Sequence, residues 1–169
     1  SLTGPASTSE KAKMLHRLIH SLQAIDTKGV ELLAQTLPPF PWYIGGQRFC
    51  NLFVETKEIL SAIDAIGLRL CLDLSHTKLA TTHHQESFLE ALHALLPHTS
   101  HLHIVDAAGV DGEGLQIQEG EIDWLALAPI LQNEAQFVSF IPEIWQGHID
   151  NGQGFWVALD RLESLLSKT

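Results

Sequence analysis

Apolar residues recur along this chain in two alternating rhythms. Leu15, Leu18, Ile19, Leu22 and Ile25 fall at helical spacing behind a capping-box pattern, Ser7-x-x-Glu10. They predict a first helix that ends near Asp26. A short strand is expected over residues 29–35. Leu52, Ile59, Leu60, Ile63 and Ile66 mark a second helix, stopped by Gly67. The apolar run from Leu68 predicts a buried strand ending in Asp73 and, three residues on, His76, with a loop to about His84. Phe88, Leu89, Leu92, Leu95 and Leu96 predict a third helix, ended by Pro97. The strand over 100–106 delivers His103 and Asp106, and a long Gly-rich loop covers 107–121. Asp123 can cap a fourth helix carrying Leu125, Leu127, Ile130 and Leu131. A strand over 137–145 delivers Glu143, and Phe155, Leu159, Leu162, Leu165 and Leu166 mark a last helix.

The order is α-βα-βα-βα-βα. Strands that read as unbroken apolar runs are covered on both faces, as in parallel sheets. Helix-to-strand links are very short, whereas strand-to-helix links are long and carry Trp, His, Gly and acidic residues. That asymmetry puts chemistry at the carboxyl ends of parallel strands. The expected fold is α/β, a parallel (β/α) arrangement of the TIM-barrel type. Four strands and five helices make about half of such a barrel, which typically needs about 250 residues. Residues 1–9 are small and polar and read as a linker, leaving 10–169 as one domain. A half barrel has two unpaired edges. The expectation is therefore a missing half in a longer parent chain, or a homo-oligomer.

Composition narrows the partners. The net charge of −10 over 169 residues argues against a nucleic-acid backbone as the natural partner, since phosphate binding needs clustered Lys and Arg. It permits a metal ion or a neutral sugar. Charged residues make up only 18% of the chain, so part of the surface is expected to be covered. Two cysteines, Cys50 and Cys71, argue against a structural disulfide and for a reducing, cytoplasmic setting. No apolar run is long enough to cross a membrane. No Gly-x-Gly-x-x-Gly or phosphate-loop motif occurs.

Three strand ends carry metal-ligand chemistry: Asp73 with His76, His103 with Asp106, and Glu143. A carboxylate and an imidazole at such positions suit a divalent cation, and the strand ends are expected to converge on one centre. Each has a plainer alternative. Asp73 can cap a turn, and His103 can be a hydrogen-bonded core histidine. His101, on the same face of the strand, competes with His103. Glu143 follows Pro142 in an apolar strand, where an unpaired carboxylate is costly. Trp145, Trp42 and Tyr43 can stack on a sugar or simply pack. His148 can meet a substrate oxygen or lie in a surface loop. Asp106 is placed as a substrate contact, with support of a ligand or a turn as its alternatives. Asp111 and Glu113 can hold a second metal or form a solvated acidic loop, and Glu119 and Glu121 can favour a helix dipole.

With these pieces in order, Asp73-x-x-His76, His103-x-x-Asp106, the turn from Gln118 to Trp124, and Pro142-Glu143, the chain from about Gly29 onward resembles the carboxyl-terminal half of the xylose-isomerase-like barrel superfamily. That group includes sugar-phosphate isomerases and epimerases, ketose 3-epimerases and the endonuclease IV family. The stretches 101–109 and 142–148 also resemble barrel domains fused to sialic-acid-synthase-type proteins. The resemblance implies a divalent metal (Mn, Co, Mg or Zn) held by Asp73, His103 and Glu143. It implies a first ligand at Gln35, where the family has a glutamate. It further implies Glu143 as the proton-moving group, His76 assisting at an oxygen, and Trp145, His148, Trp42 and Asp106 around a sugar or sugar phosphate. An amide cannot act as a proton base, so Gln35 departs from two-carboxylate epimerisation. Three functions follow: a metal-dependent isomerase or epimerase acting through an enediolate; a non-catalytic or regulatory barrel domain of a larger carbohydrate-biosynthesis protein; and a metal hydrolase of the endonuclease IV type.

Overall fold

The computed structural model describes residues 4–41 and 48–167. The elements run α1 (Thr8–Gln23), β1 (Leu33–Gln35), α2 (Thr56–Ile66), β2 (Arg69–Asp73), α3 (Leu74–His84), α4 (Phe88–Leu95), a 3₁₀ turn (Leu96–His98), β3 (Thr99–Ile104), β4 (Asp106–Ala108), β5 (Gly112–Leu115), α5 (Trp124–Glu134), β6 (Ser139–Pro142) and α6 (Ile149–Leu166). The capping box on α1 forms as the sequence predicts, with Ser7 and Glu10 exchanging hydrogen bonds. The helix therefore starts at Thr8, inside the stretch expected to be linker.

β1, β2, β3 and β6 form one four-stranded sheet in that order, with every neighbouring pair parallel. The sheet alternates as a two-residue period requires. Leu70, Leu72, Leu102 and Ile104 are buried on the helix-covered face, packed with Ile59, Leu92, Leu127 and Leu162. The opposite face carries Gln35, Cys71, Asp73, His101 and His103. Cys71 pairs with His101 and Asp73 with His103, so the polar side chains fall in rows across the strands. Among the described residues, β1 and β6 each have one edge without a strand beside it. The four strands and the parallel order are those the sequence predicts.

Two expectations are corrected. The segment from Asp73 to His84 is a helix, not a loop, which makes six α-helices rather than five among the described residues. Its apolar positions show no helical period because it is buried on several sides, including Leu74, Ser75, Thr77, Leu79, Ala80 and Thr81. Asp73 caps it by accepting from the His76 amide at 2.9 Å. The Gly-rich loop after β3 contains an antiparallel hairpin, β4–β5. Before α6 proper, Asp150, Asn151 and Gly152 take left-handed backbone angles. Cys50 and Cys71 are both free. No described helix is long and apolar enough to cross a membrane.

Candidate metal centre

Adjacent parallel strands ending level with one another bring their last side chains together. Asp73 and His103 are direct partners across β2 and β3. Asp73 Oδ2 lies 3.4 Å from His103 Nδ1. From the next strand, Glu143 follows Pro142 and places Oε2 2.5 Å from the same nitrogen. One ligating atom from each of Asp73, His103 and Glu143 falls within 4.8 Å of the others. From the other side, Gln35 Nε2 reaches His103 Nδ1 at 3.2 Å and Asp73 Oδ2 at 3.4 Å. The three strand ends thus meet, with Gln35 as a fourth neighbour. His101 stays out of this group, hydrogen-bonded to Ser139 Oγ at 2.8 Å.

Asp73 is 1% exposed. Its backbone is pinned by Thr36 and Thr77. The Asp73 amide donates to Thr36 Oγ1 at 2.9 Å, and Thr77 Oγ1 donates to the Asp73 carbonyl at 2.7 Å. His76, one helical turn into α3, donates from Nδ1 to the Thr36 carbonyl at 2.8 Å, with Asp73 Oδ2 at 3.3 Å. Its Nε2 faces Glu113 Oε2 at 3.2 Å, from strand β5. The imidazole therefore stands between two carboxylates.

These charges set the protonation of the metal-free site. Burial alone would raise the Asp73 carboxyl, but His103 and His76 outweigh it and hold it below the usual range. Burial would lower His103, yet Asp73, Cys71 and Glu143 push it up to about 12. His76 is likewise raised against its burial by Glu113, Asp73 and the Thr36 carbonyl. Carboxylates clustered this closely favour any cation, and here the raised His103 imidazole supplies it.

A cavity of about 490 Å³ opens beside the cluster, and Asp73, His76, Glu113, Glu143, Trp145 and His148 all line it. Trp145 is held there by its amide, which donates to the Gly114 carbonyl at 2.8 Å. Gly114 permits that approach: its φ is +78°, and a Cβ would sit 3.0 Å from Trp145 Cβ. Trp42 and Tyr43 lie outside the described residues.

Asp106 does not face the cavity. It is wholly buried and accepts from the amides of Ala107, Gln118 and Ile122 and from Trp124 Nε1. It ties the β4–β5 hairpin to the start of α5. Of its readings from sequence, the turn former matches this geometry. Thr36, Ser75 and the pairing of Glu113 with His76 are not legible in the sequence. Threonine and serine carry no distinctive spacing, and Glu113 sits between two glycines in what reads as solvated loop.

Comparison with known proteins matches this architecture. A D-tagatose 3-epimerase-like protein superposes with a TM-score of 0.71 at 18% identity, covering 95% of this chain and 58% of that one. An L-ribulose 3-epimerase gives 0.66 at 13%, covering 98% and 57%. A D-psicose 3-epimerase from Clostridium cellulolyticum H10 gives 0.67 at 14%, covering 98% and 60%. The chain thus spans well under two thirds of the length of these solved structures, and at such identity the likeness concerns fold. No curated protein matches the chain. The family described as xylose isomerase-like TIM barrel matches residues 3–165, nearly the whole sequence. With four parallel strands in barrel order and polar side chains gathered at their carboxyl ends, the chain belongs to the xylose isomerase-like TIM barrel family.

Proposed function

We propose that this chain is the metal-binding part of a divalent-metal-dependent isomerase or epimerase acting on a sugar or sugar phosphate. The observation that carries this is the convergence of Asp73, His103 and Glu143 from three successive strand ends. One imidazole and two carboxylates form a mixed donor set that suits Mn²⁺, Co²⁺, Mg²⁺ or Zn²⁺. Gln35 completes it if the amide turns to present its oxygen. When bound, such a metal polarises a carbonyl and its neighbouring hydroxyl, which favours an enediolate.

The chain's own residues supply the rest. Glu143 is half exposed and faces both the cluster and the cavity, a position for moving a proton on and off carbon. His76, held through Nδ1 by the Thr36 carbonyl, can redirect its Nε2 proton from Glu113 to a substrate oxygen. Trp145 gives an apolar wall for a sugar face, and His148 a polar one. The open β1 and β6 edges call for a second set of strands, from a longer parent chain or a second copy. Free cysteines support a reducing, cytoplasmic setting.

A second reading, a non-catalytic or regulatory barrel domain, is favoured by Gln35, because it removes one carboxylate from the substrate side, and by the four-stranded half of a barrel that the described residues form. The net charge of −10 speaks against a hydrolase of nucleic acid.

Elemental analysis after purification without chelator, with thermal shifts in Mn²⁺, Co²⁺ and Zn²⁺, tests the metal. Bound metal and a raised melting temperature support the proposal; neither effect would sink it. Deuterium uptake from D₂O at a ketose carbon tests the reaction, and undiminished uptake by a Glu143→Gln variant would take the proton-moving role away from Glu143.

A further inference from the structure

Thr36 follows β1 directly and is 1% exposed. Its amide donates to the Cys71 carbonyl at 3.2 Å. In a regular parallel ladder its own carbonyl would then accept from the Asp73 amide, two residues on. The chain departs from that pattern. The Asp73 amide donates instead to Thr36 Oγ1 at 2.9 Å, and that hydroxyl donates to the Asp73 carbonyl at 3.3 Å. The Thr36 carbonyl is thereby released from the ladder and accepts from His76 Nδ1 at 2.8 Å. A carbonyl has no proton to give, so Nδ1 carries one. The competing acceptor for that proton is Asp73 Oδ2, 3.3 Å from the same nitrogen and the oxygen that faces His103 Nδ1.

We infer that Thr36 is a positioning residue for the metal centre, acting through His76. Its hydroxyl takes over a backbone bond, its carbonyl takes the His76 proton, and Asp73 Oδ2 is kept for a cation. The inference rests on the metal reading above and adds a residue whose own polar groups are all engaged within the chain. Valine matches threonine in shape and lacks the hydroxyl. In Thr36→Val the Asp73 amide reclaims the carbonyl, and the His76 Nδ1 proton turns to Asp73 Oδ2, where it competes with the metal. Serine keeps the hydroxyl and with it the arrangement.

Co²⁺ titration of the purified chain, with proton–nitrogen NMR of the metal-free protein, tests this. Thr36→Val should weaken Co²⁺ binding about tenfold, the worth of one good hydrogen bond. Thr36→Ser should bind as the wild type does. In a His76→Ala background the Thr36→Val change should cost less than about twofold, because no imidazole proton is left to compete. A merely structural threonine would cost the same in both backgrounds. The metal-free wild type should show a hydrogen-bonded His76 Nδ1–H resonance that persists in Thr36→Ser and shifts in Thr36→Val. Thr36→Ala, which also lacks the hydroxyl, repeats the comparison if Thr36→Val does not fold. Equal losses in the two backgrounds, an undisturbed Nδ1–H in Thr36→Val, or no such resonance in the wild type would overturn the role of Thr36. A wild type that binds no Co²⁺, with the Nδ1–H resonances behaving as described, would overturn the metal reading alone.

Discussion

Asp73 and His103 face each other across β2 and β3, and Asp73 Oδ2 lies 3.4 Å from His103 Nδ1. The same carboxylate caps α3 through the His76 amide. One buried side chain therefore ends a strand, starts a helix and faces two imidazoles. Asp73→Ala removes all three and should destabilise the metal-free protein by about 3 kcal/mol, as expected for breaking a buried charge pair along with a cap. Asp73→Asn keeps the cap and should cost less. Urea denaturation of both variants checks the order.

The metal-free site should respond to pH at both ends. His103 is raised to about 12, so its contribution is fully present below its ordinary value of 6.5 and fades as pH rises toward 12. Asp73 is lowered from 3.8. Its contribution is present above that value and is lost as pH falls through the native value. Stability from the pair is then greatest between about pH 4 and 6.5. His103→Ala should flatten the alkaline limb, measured as melting temperature against pH.

Metal uptake should displace a proton, because His103 must give up Nδ1–H to act as a ligand. Binding should tighten as pH rises from about 6 to about 8. Titration calorimetry in buffers of different ionisation enthalpy should show about one proton released per metal. Proton-independent binding would place the metal elsewhere.

Asp106 should prove structural. It accepts four donors while fully buried, and Gly120 packs so closely that a Cβ would overlap its carboxylate. Asp106→Asn sets an amide N–H₂ against groups that need an acceptor. A loss of about 2–4 kcal/mol is expected, with amide exchange rising in residues 106–124. A fall in sugar binding without a fall in stability would return Asp106 to the substrate.

The parallel strands are legible in the sequence because buried strands read as apolar runs that end at polar residues; Leu70, Leu72, Leu102 and Ile104 are the clearest. Asp73, His103 and Glu143 are legible because a charged side chain at the end of such a run needs a reason. The helix α3 is not. Its buried face includes Ser75, Thr77 and Thr81, whose hydroxyls obscure any apolar period, and its second turn holds itself through Thr81 Oγ1 to the Thr77 carbonyl. The hairpin is masked by Gly112 and Gly114, which read as loop. Asp106 reads as a ligand neighbour because its four donors come from as far along the chain as Trp124, a convergence that one sequence does not display.

Whether Asp73, His103 and Glu143 hold one divalent cation together is tested most directly by Co²⁺ titration followed by visible absorption. The wild-type chain is compared with His103→Ala, Glu143→Gln and Gln35→Glu. One Co²⁺ per chain is predicted, with loss of the absorption band in His103→Ala. Weaker binding is predicted in Glu143→Gln, and affinity raised at least about tenfold in Gln35→Glu, where a unit charge is added at ligand distance. Cobalt binding that ignores all three substitutions, or no cobalt binding at all, would contradict a shared metal centre.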